Sequence, residues 1–192
     1  MGQRLVITVE KDAQEIAKLY YHWSAYSSPS ASITADLIKY LDAHKDIDTR
    51  LACIRFAEEM GGCIRGGKES AEFKAISEMF PNETFKEDGD RNDGLVALTE
   101  EGMSELQYWS EGDVLLKLDY REVINRVNWS FDNIEDIKAE YEDFDESEVI
   151  VSDVDICDYS FDDADYVYGI CYDAECNNGF VKCDDVYYGI AY

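Results

Sequence analysis

The sequence predicts an α+β fold: an N-terminal β-hairpin with several helices, followed by an acidic, antiparallel, β-rich C-terminal region. Three observations carry this. Residues 3–10 and 16–23 alternate apolar and polar side chains around Lys11-Asp12, the pattern of two half-buried strands and their turn. Apolar residues then recur at helical spacing, first Ile33, Leu37, Ile38 and Leu41, then Leu51, Ile54, Ala57 and Met60. From Val127 to Tyr192 the chain holds 19 Asp and Glu against two bases, Lys138 and Lys182, yet keeps a steady supply of Val, Ile, Phe and Tyr. Disordered acidic tails lack such residues, because they bury too little apolar area to offset the ordering entropy. The division expected from this is an α+β domain over residues 1–129 and an acidic, Tyr-rich, β-rich region over 130–192.

Along the chain, the hairpin leads into a polar loop from Ser24 to Ser32 that carries Pro29. Helices are predicted over 33–43 and 48–60, the second ended by Gly61-Gly62. A glycine loop leads to a helix over 69–80 on Phe73, Ile76, Met79 and Phe80. A strand over 94–98 and a short helix over 99–109 follow. Asp113 to Asp119 reads as a strand, 121–129 as another, and Asn133 to Tyr141 as a helix on Ile134, Ile137 and Tyr141. The 151–156 run has the period of a strand. Asp165-Tyr-Val-Tyr-Gly-Ile-Cys-Tyr172 returns 20 residues later as Asp185-Val-Tyr-Tyr-Gly-Ile-Ala-Tyr192, with a turn signal in Cys176-Asn-Asn-Gly179 between the copies. The region therefore reads as two or three antiparallel strands with one apolar face and one face of carboxylates.

Several motifs resemble sites and fail on inspection. Gly62-Cys-Ile-Arg-Gly-Gly67-Lys68 has the glycine and lysine spacing of a phosphate loop. Glu69 stands where Ser or Thr must hold magnesium, and a helix rather than a strand precedes. Asp88-Gly-Asp90-Arg-Asn92-Asp-Gly94 spaces its oxygens like a calcium loop, but its glycine is at position seven and Thr99 replaces the bidentate Glu. The six cysteines include no C-x-x-C pair, and His22 and His44 are the only histidines, so zinc is not expected; the thiols read most simply as free, and the four C-terminal ones can pair only if the strands place them opposite each other. His22 beside Trp23 reads as a core residue before it reads as a base. No catalytic residue, metal or cofactor is expected. With neither a signal-peptide h-region nor an 18-residue apolar run, the chain is expected in a host-cell cytoplasm.

A net charge of −26 argues against binding nucleic acid or an anionic membrane directly and favours a basic protein partner. Residues i and i+2 on a strand share a face roughly 6.5–7 Å apart. Asp153/Asp155 and Asp163/Asp165 would then form rows of negative charge, as a phosphate backbone does. The candidate partner-binding residues are Glu140, Glu142, Asp143, Asp145, Glu146, Glu148, Asp153, Asp155, Asp158, Asp162, Asp163, Asp165, Asp184 and Asp185, with Tyr166, Tyr168, Tyr187 and Tyr188 as aromatic anchors.

Three strings, Tyr20-Tyr-His-Trp-Ser-Ala-Tyr26, Gly61-Gly-Cys-Ile-Arg-Gly-Gly67 and Arg91-Asn-Asp-Gly-Leu-Val-Ala-Leu-Thr-Glu-Glu-Gly-Met103, resemble a family of small phage and prophage proteins without an assigned activity, over about residues 1–129. The resemblance implies a viral or mobile-element origin and no catalytic motif. In composition only, the acidic region is similar to phage DNA mimics and anti-CRISPR or anti-restriction proteins. The expected function is a non-enzymatic, anti-CRISPR-like inhibitor that blocks a basic nucleic-acid site on a host nuclease, a CRISPR effector of the Cas9 type or a restriction nuclease. The alternatives are a small enzyme or ligand binder using His22 and the glycine loop, and a phage assembly component.

Overall fold

The computed structural model describes residues 3–21, 24–60, 63–65, 96–98, 112–177 and 179–190. His22, the calcium-like loop and the helices expected over 69–80 and 99–109 lie outside them, as does the glycine loop except for Cys63–Arg65, which form a strand where a loop was expected.

The fold is α+β, with two mixed sheets and, among the described residues, four helices. Strands β1 (Leu5–Lys11) and β2 (Gln14–Tyr21) form the expected hairpin, turned by Asp12 and Ala13, both at positive φ. β1 also pairs in parallel with β5 (Gly112–Lys117), which pairs with β6 (Glu122–Asn125). β3 (Cys63–Arg65) and β4 (Val96–Leu98) extend the sheet beyond β2. The far edge is β9 (Asp158–Ser160), a strand of the acidic region, giving the order β4-β3-β2-β1-β5-β6-β9. The second sheet has the order β7-β11-β10-β8, from Trp129–Phe131, Val186–Gly189, Phe180–Cys183 and Ile150–Ser152. The segment expected as one strand over 121–129 thus divides between two sheets at a corner where the Asn125 side chain accepts from the Val127 amide at 3.0 Å.

Helix α1 (Ser27–Ala43) begins inside the expected polar loop. Pro29 falls in its first turn, where no intrahelical donor is required of it. The serines that read as loop residues are buried: Ser27 donates to Asn128 and to the Ile190 carbonyl, and Ser28 donates to Glu175. α2 (Thr49–Met60) is capped by Asp48, which accepts from the Leu51 amide at 3.1 Å. α3 (Ile134–Glu140) starts as expected at Asn133, whose side chain accepts from the Asp136 amide at 3.0 Å.

The largest correction concerns the repeat. Asp165 to Tyr172 is helical, within α4 (Ala164–Cys176), whereas the second copy supplies β11. The buried residues of α4 are Ala164, Val167, Cys171 and Ala174, spaced three and four apart, and they pack on α1. Acids at Asp162, Asp163 and Asp165 surround its N-terminus, where the helix dipole favours them. In the second copy the preceding Asp184 sits at φ 50°, making a tight β10–β11 turn that holds the chain extended. The Cys176–Gly179 signal closes the helix instead of joining strands: Gly179 has φ 78° and its amide reaches the Ala174 carbonyl at 2.7 Å.

One buried cluster joins these parts. Leu5, Ile7 and Val9 of β1 meet Leu37 and Ile38 of α1, Phe56 of α2, Val167 and Cys171 of α4, and Val181 of β10. Residues on both sides of position 129 therefore contribute to one core, and β9 joins both to one sheet. No helix among the described residues is long and apolar enough to cross a membrane.

Candidate acidic interface

All 18 expected partner-binding residues are exposed or half-exposed, and they fall into four patches. The first follows α3. Glu140, Glu142, Asp143 and Glu148 rim a recess of about 460 Å³ with Tyr141, Phe144 and Phe180 in its wall. Those rings pack edge to face at 5.2–5.3 Å, which fixes the wall. Asp145 lies within a short 3-10 turn's cap and accepts from the Ser147 amide and hydroxyl, which holds its carboxyl below the usual range. Glu146 faces Lys138 at 3.5 Å.

The second patch corrects the expected charge row at Asp153/Asp155. Strand β8 ends at Ser152, and the side chains of Ser152 and Asp155 then capture the Val154 and Cys157 amides at 3.1 and 2.8 Å. Short polar side chains that bind local amides compete with a strand ladder, so the segment turns, and the two aspartates project from a bend. Asp158, on β9, lies beside Glu122; burial and the charges of Glu122 and Asp155 push its carboxyl above the ordinary range.

The third patch, at the start of α4, corrects the row at Asp163/Asp165. Asp163 precedes the helix and accepts from the Ser160 hydroxyl at 2.6 Å, while Asp165 is on the helix and pairs with Lys39 of α1 at 2.5 Å. Asp162 meets Arg121 at 3.2 Å. These acids fasten α4 to α1 and to the β5–β6 turn, an intramolecular role that spacing alone did not reveal. Tyr166 and Tyr168 occupy the exposed side of the helix, Tyr168 against Tyr172 at 6.2 Å.

The fourth patch is the β10–β11 turn. Asp184 and Asp185 are exposed at its tip, Lys182 lies over the Tyr187 ring at 5.1 Å, and Tyr188 is half-buried toward Asp155 and Cys157. Burial raises the hydroxyl of Tyr188 well above its usual value.

Cys53, Cys157, Cys171, Cys176 and Cys183 are free thiols. Burial pushes Cys53, Cys157 and Cys171 up to about 12, leaving them protonated and unreactive at neutral pH. Among the described residues no three His, Cys, Asp or Glu converge as a metal site. Charge counting missed a contrasting feature: a recess of about 250 Å³ where β1, α1, α2 and the β5–β6 turn meet, lined by Lys11, Lys45 and Arg121. Its bases are 110 residues apart in sequence at the extremes, so no local pattern announces it.

No family model, curated protein or solved structure matches the chain.

Proposed function

We propose that the protein is a non-enzymatic inhibitor that occupies a basic nucleic-acid-binding site on a host nuclease with its acidic C-terminal surface. A Cas9-type effector, which holds its heteroduplex in a basic channel, is the first candidate. One observation carries this reading. Glu140, Glu142, Asp143, Glu148, Asp153, Asp155, Asp184 and Asp185 are exposed and have no basic partner among the described residues. Like charges gathered this way oppose folding, and a partner rich in Lys and Arg relieves that repulsion while gaining electrostatic steering. The carboxylates come from turns and loop ends, so the resemblance to nucleic acid is one of potential and not of regular spacing. Tyr166 and Tyr172, roughly half exposed, add surfaces on which arginine can stack.

The test is capture of partners by the tagged full chain from nuclease-treated host lysate, at low and high salt. We expect a nucleic-acid enzyme that DNA or guide RNA displaces, with binding falling at least about tenfold between 50 and 200 mM salt. Combined Glu142→Gln, Asp143→Asn, Asp153→Asn, Asp184→Asn and Asp185→Asn substitutions should weaken it by a similar factor in a folded protein. A partner indifferent to salt, to nucleic acid and to these substitutions would sink the proposal.

A further inference from the structure

The acidic surface leaves unexplained the opposite feature at the end of the large sheet. The recess between β1, the end of α1, the start of α2 and the β5–β6 turn adjoins a second of about 260 Å³, and the two share Lys11 and Thr49. Together they hold Lys11, Lys45, Arg50 and Arg121, four of the 13 Lys and Arg among the described residues of a chain with 43 acids. The three carboxylates in their walls already have internal donors. Asp42 takes both Arg121 nitrogens at 3.0 Å and Lys45 at 2.9 Å; Asp48 takes the Leu51 amide; Asp119 takes the Asp12 amide. The donors are not used up in the same way. The Lys11 ammonium has no hydrogen bond or ion pair among the described residues, and neither does the Thr49 hydroxyl, while Lys45 commits one of its three donor hydrogens to Asp42.

We propose that these recesses bind a small organic oxyanion. Lys11, Lys45 and the Thr49 hydroxyl receive its phosphate or carboxylate head, and Leu41, Leu118 and Phe161 receive a compact apolar body. The recess volumes suit such a ligand, and Leu41, Ala52, Leu118 and Phe161 give an otherwise charged and polar lining an apolar part against which a compact body can rest. At about 0.15 M salt the remote carboxylates are screened beyond about 8 Å, so the potential the ligand meets is set by the local charges, four bases against the three internally bonded carboxylates. This site is separate from the acidic surface and survives if the nuclease reading fails.

The test titrates the full chain with phenyl phosphate, followed by phosphorus NMR, and with benzoate, followed by proton NMR. We expect one saturable site, weakened about tenfold or more by Lys11→Met, which keeps the stem and removes the charge. Asp184→Asn, outside the recess, should leave it unchanged. Tighter binding of one probe than the other supports the site and identifies its head group. No saturation of either probe by about 10 mM, or equal binding in Lys11→Met, would overturn the proposal. Inorganic phosphate binding as tightly as phenyl phosphate would overturn its apolar half.

Discussion

Asp42 shows how a single residue gains its role from distant partners. The Arg121 guanidinium, then the Lys45 ammonium, hold its carboxyl at about 2, below the ordinary 3.8. A carboxyl lowered by folding contributes stability that is complete above its unfolded value and disappears as the pH falls through the folded one. The contribution should therefore be full above about pH 4 and gone by about pH 2. Because Arg121 is 43% exposed, solvent screening limits it to about 1 kcal/mol. Asp42→Asn should lower the urea midpoint at pH 7 and converge on the parent near pH 2. A constant gap across that range would show that the carboxylate's charge is irrelevant.

Two glycines test the elements. Gly169 is in the middle of α4, and a methyl there would meet nothing within 4 Å. Gly169→Ala should stabilise by about 0.5–1 kcal/mol, the propensity difference between the two residues in a helix. Were the segment the strand its sequence suggests, no such gain is expected, so a neutral or destabilising result would count against α4. Gly189, at the matching position of the second copy, faces Trp129 across the β7–β11 pair. An added Cβ would fall 2.4 Å from the indole. Gly189→Ala should cost about 1–3 kcal/mol by overpacking and perturb Trp129 fluorescence. The two copies of one motif thus respond with opposite signs.

The same elements show what was legible. The hairpin, α2, β5 and α3 were readable because their signals are local: alternation in residues 7–10 and in Gly112–Lys117, and apolar residues three or four apart in α2 and α3. The strand reading of 165–172 failed because Tyr, Val, Ile and Cys suit either structure and outweighed the helix signals present. Those were the acids at Asp162, Asp163 and Asp165 and the three-and-four spacing of Ala164, Val167, Cys171 and Ala174. The charge of the candidate interface was legible in composition. Its geometry was not, because Lys39 and Arg121, which tie down Asp165 and Asp162, lie in other parts of the chain.

Across the molecule, charge sets the response to solvent. With a net −26, the folded state confines more repulsion than the unfolded chain. Asp158 and Glu175 are both raised, Asp158 by burial and neighbouring acids and Glu175 by burial. A carboxyl raised by folding takes up its proton in the folded state first, so its destabilising effect fades as the pH falls through the folded value toward the unfolded one. Urea midpoints should therefore rise with added salt at pH 7, and rise as the pH drops from 7 toward 5. Partner binding should fall with the same salt, so the opposite signs separate a weakened interface from a weakened fold. Midpoints that fall with salt would contradict the repulsion argument.

The sequence by itself determined the size of the charge imbalance, the position of the hairpin and of the helices whose apolar residues recur at helical spacing, and the absence of zinc-type cysteine spacing. These depend on neighbours within a few residues, whose periodicity and capping chemistry are written in order along the chain. The tertiary structure alone decided that one copy of the repeat coils against α1 while the other pairs with β7 and β10. It also decided which carboxylates are held by bases and which face solvent, and it brought Lys11, Lys45 and Arg121 to one recess. Burial and ion pairing depend on contacts between residues far apart in sequence, and only the folded chain fixes them.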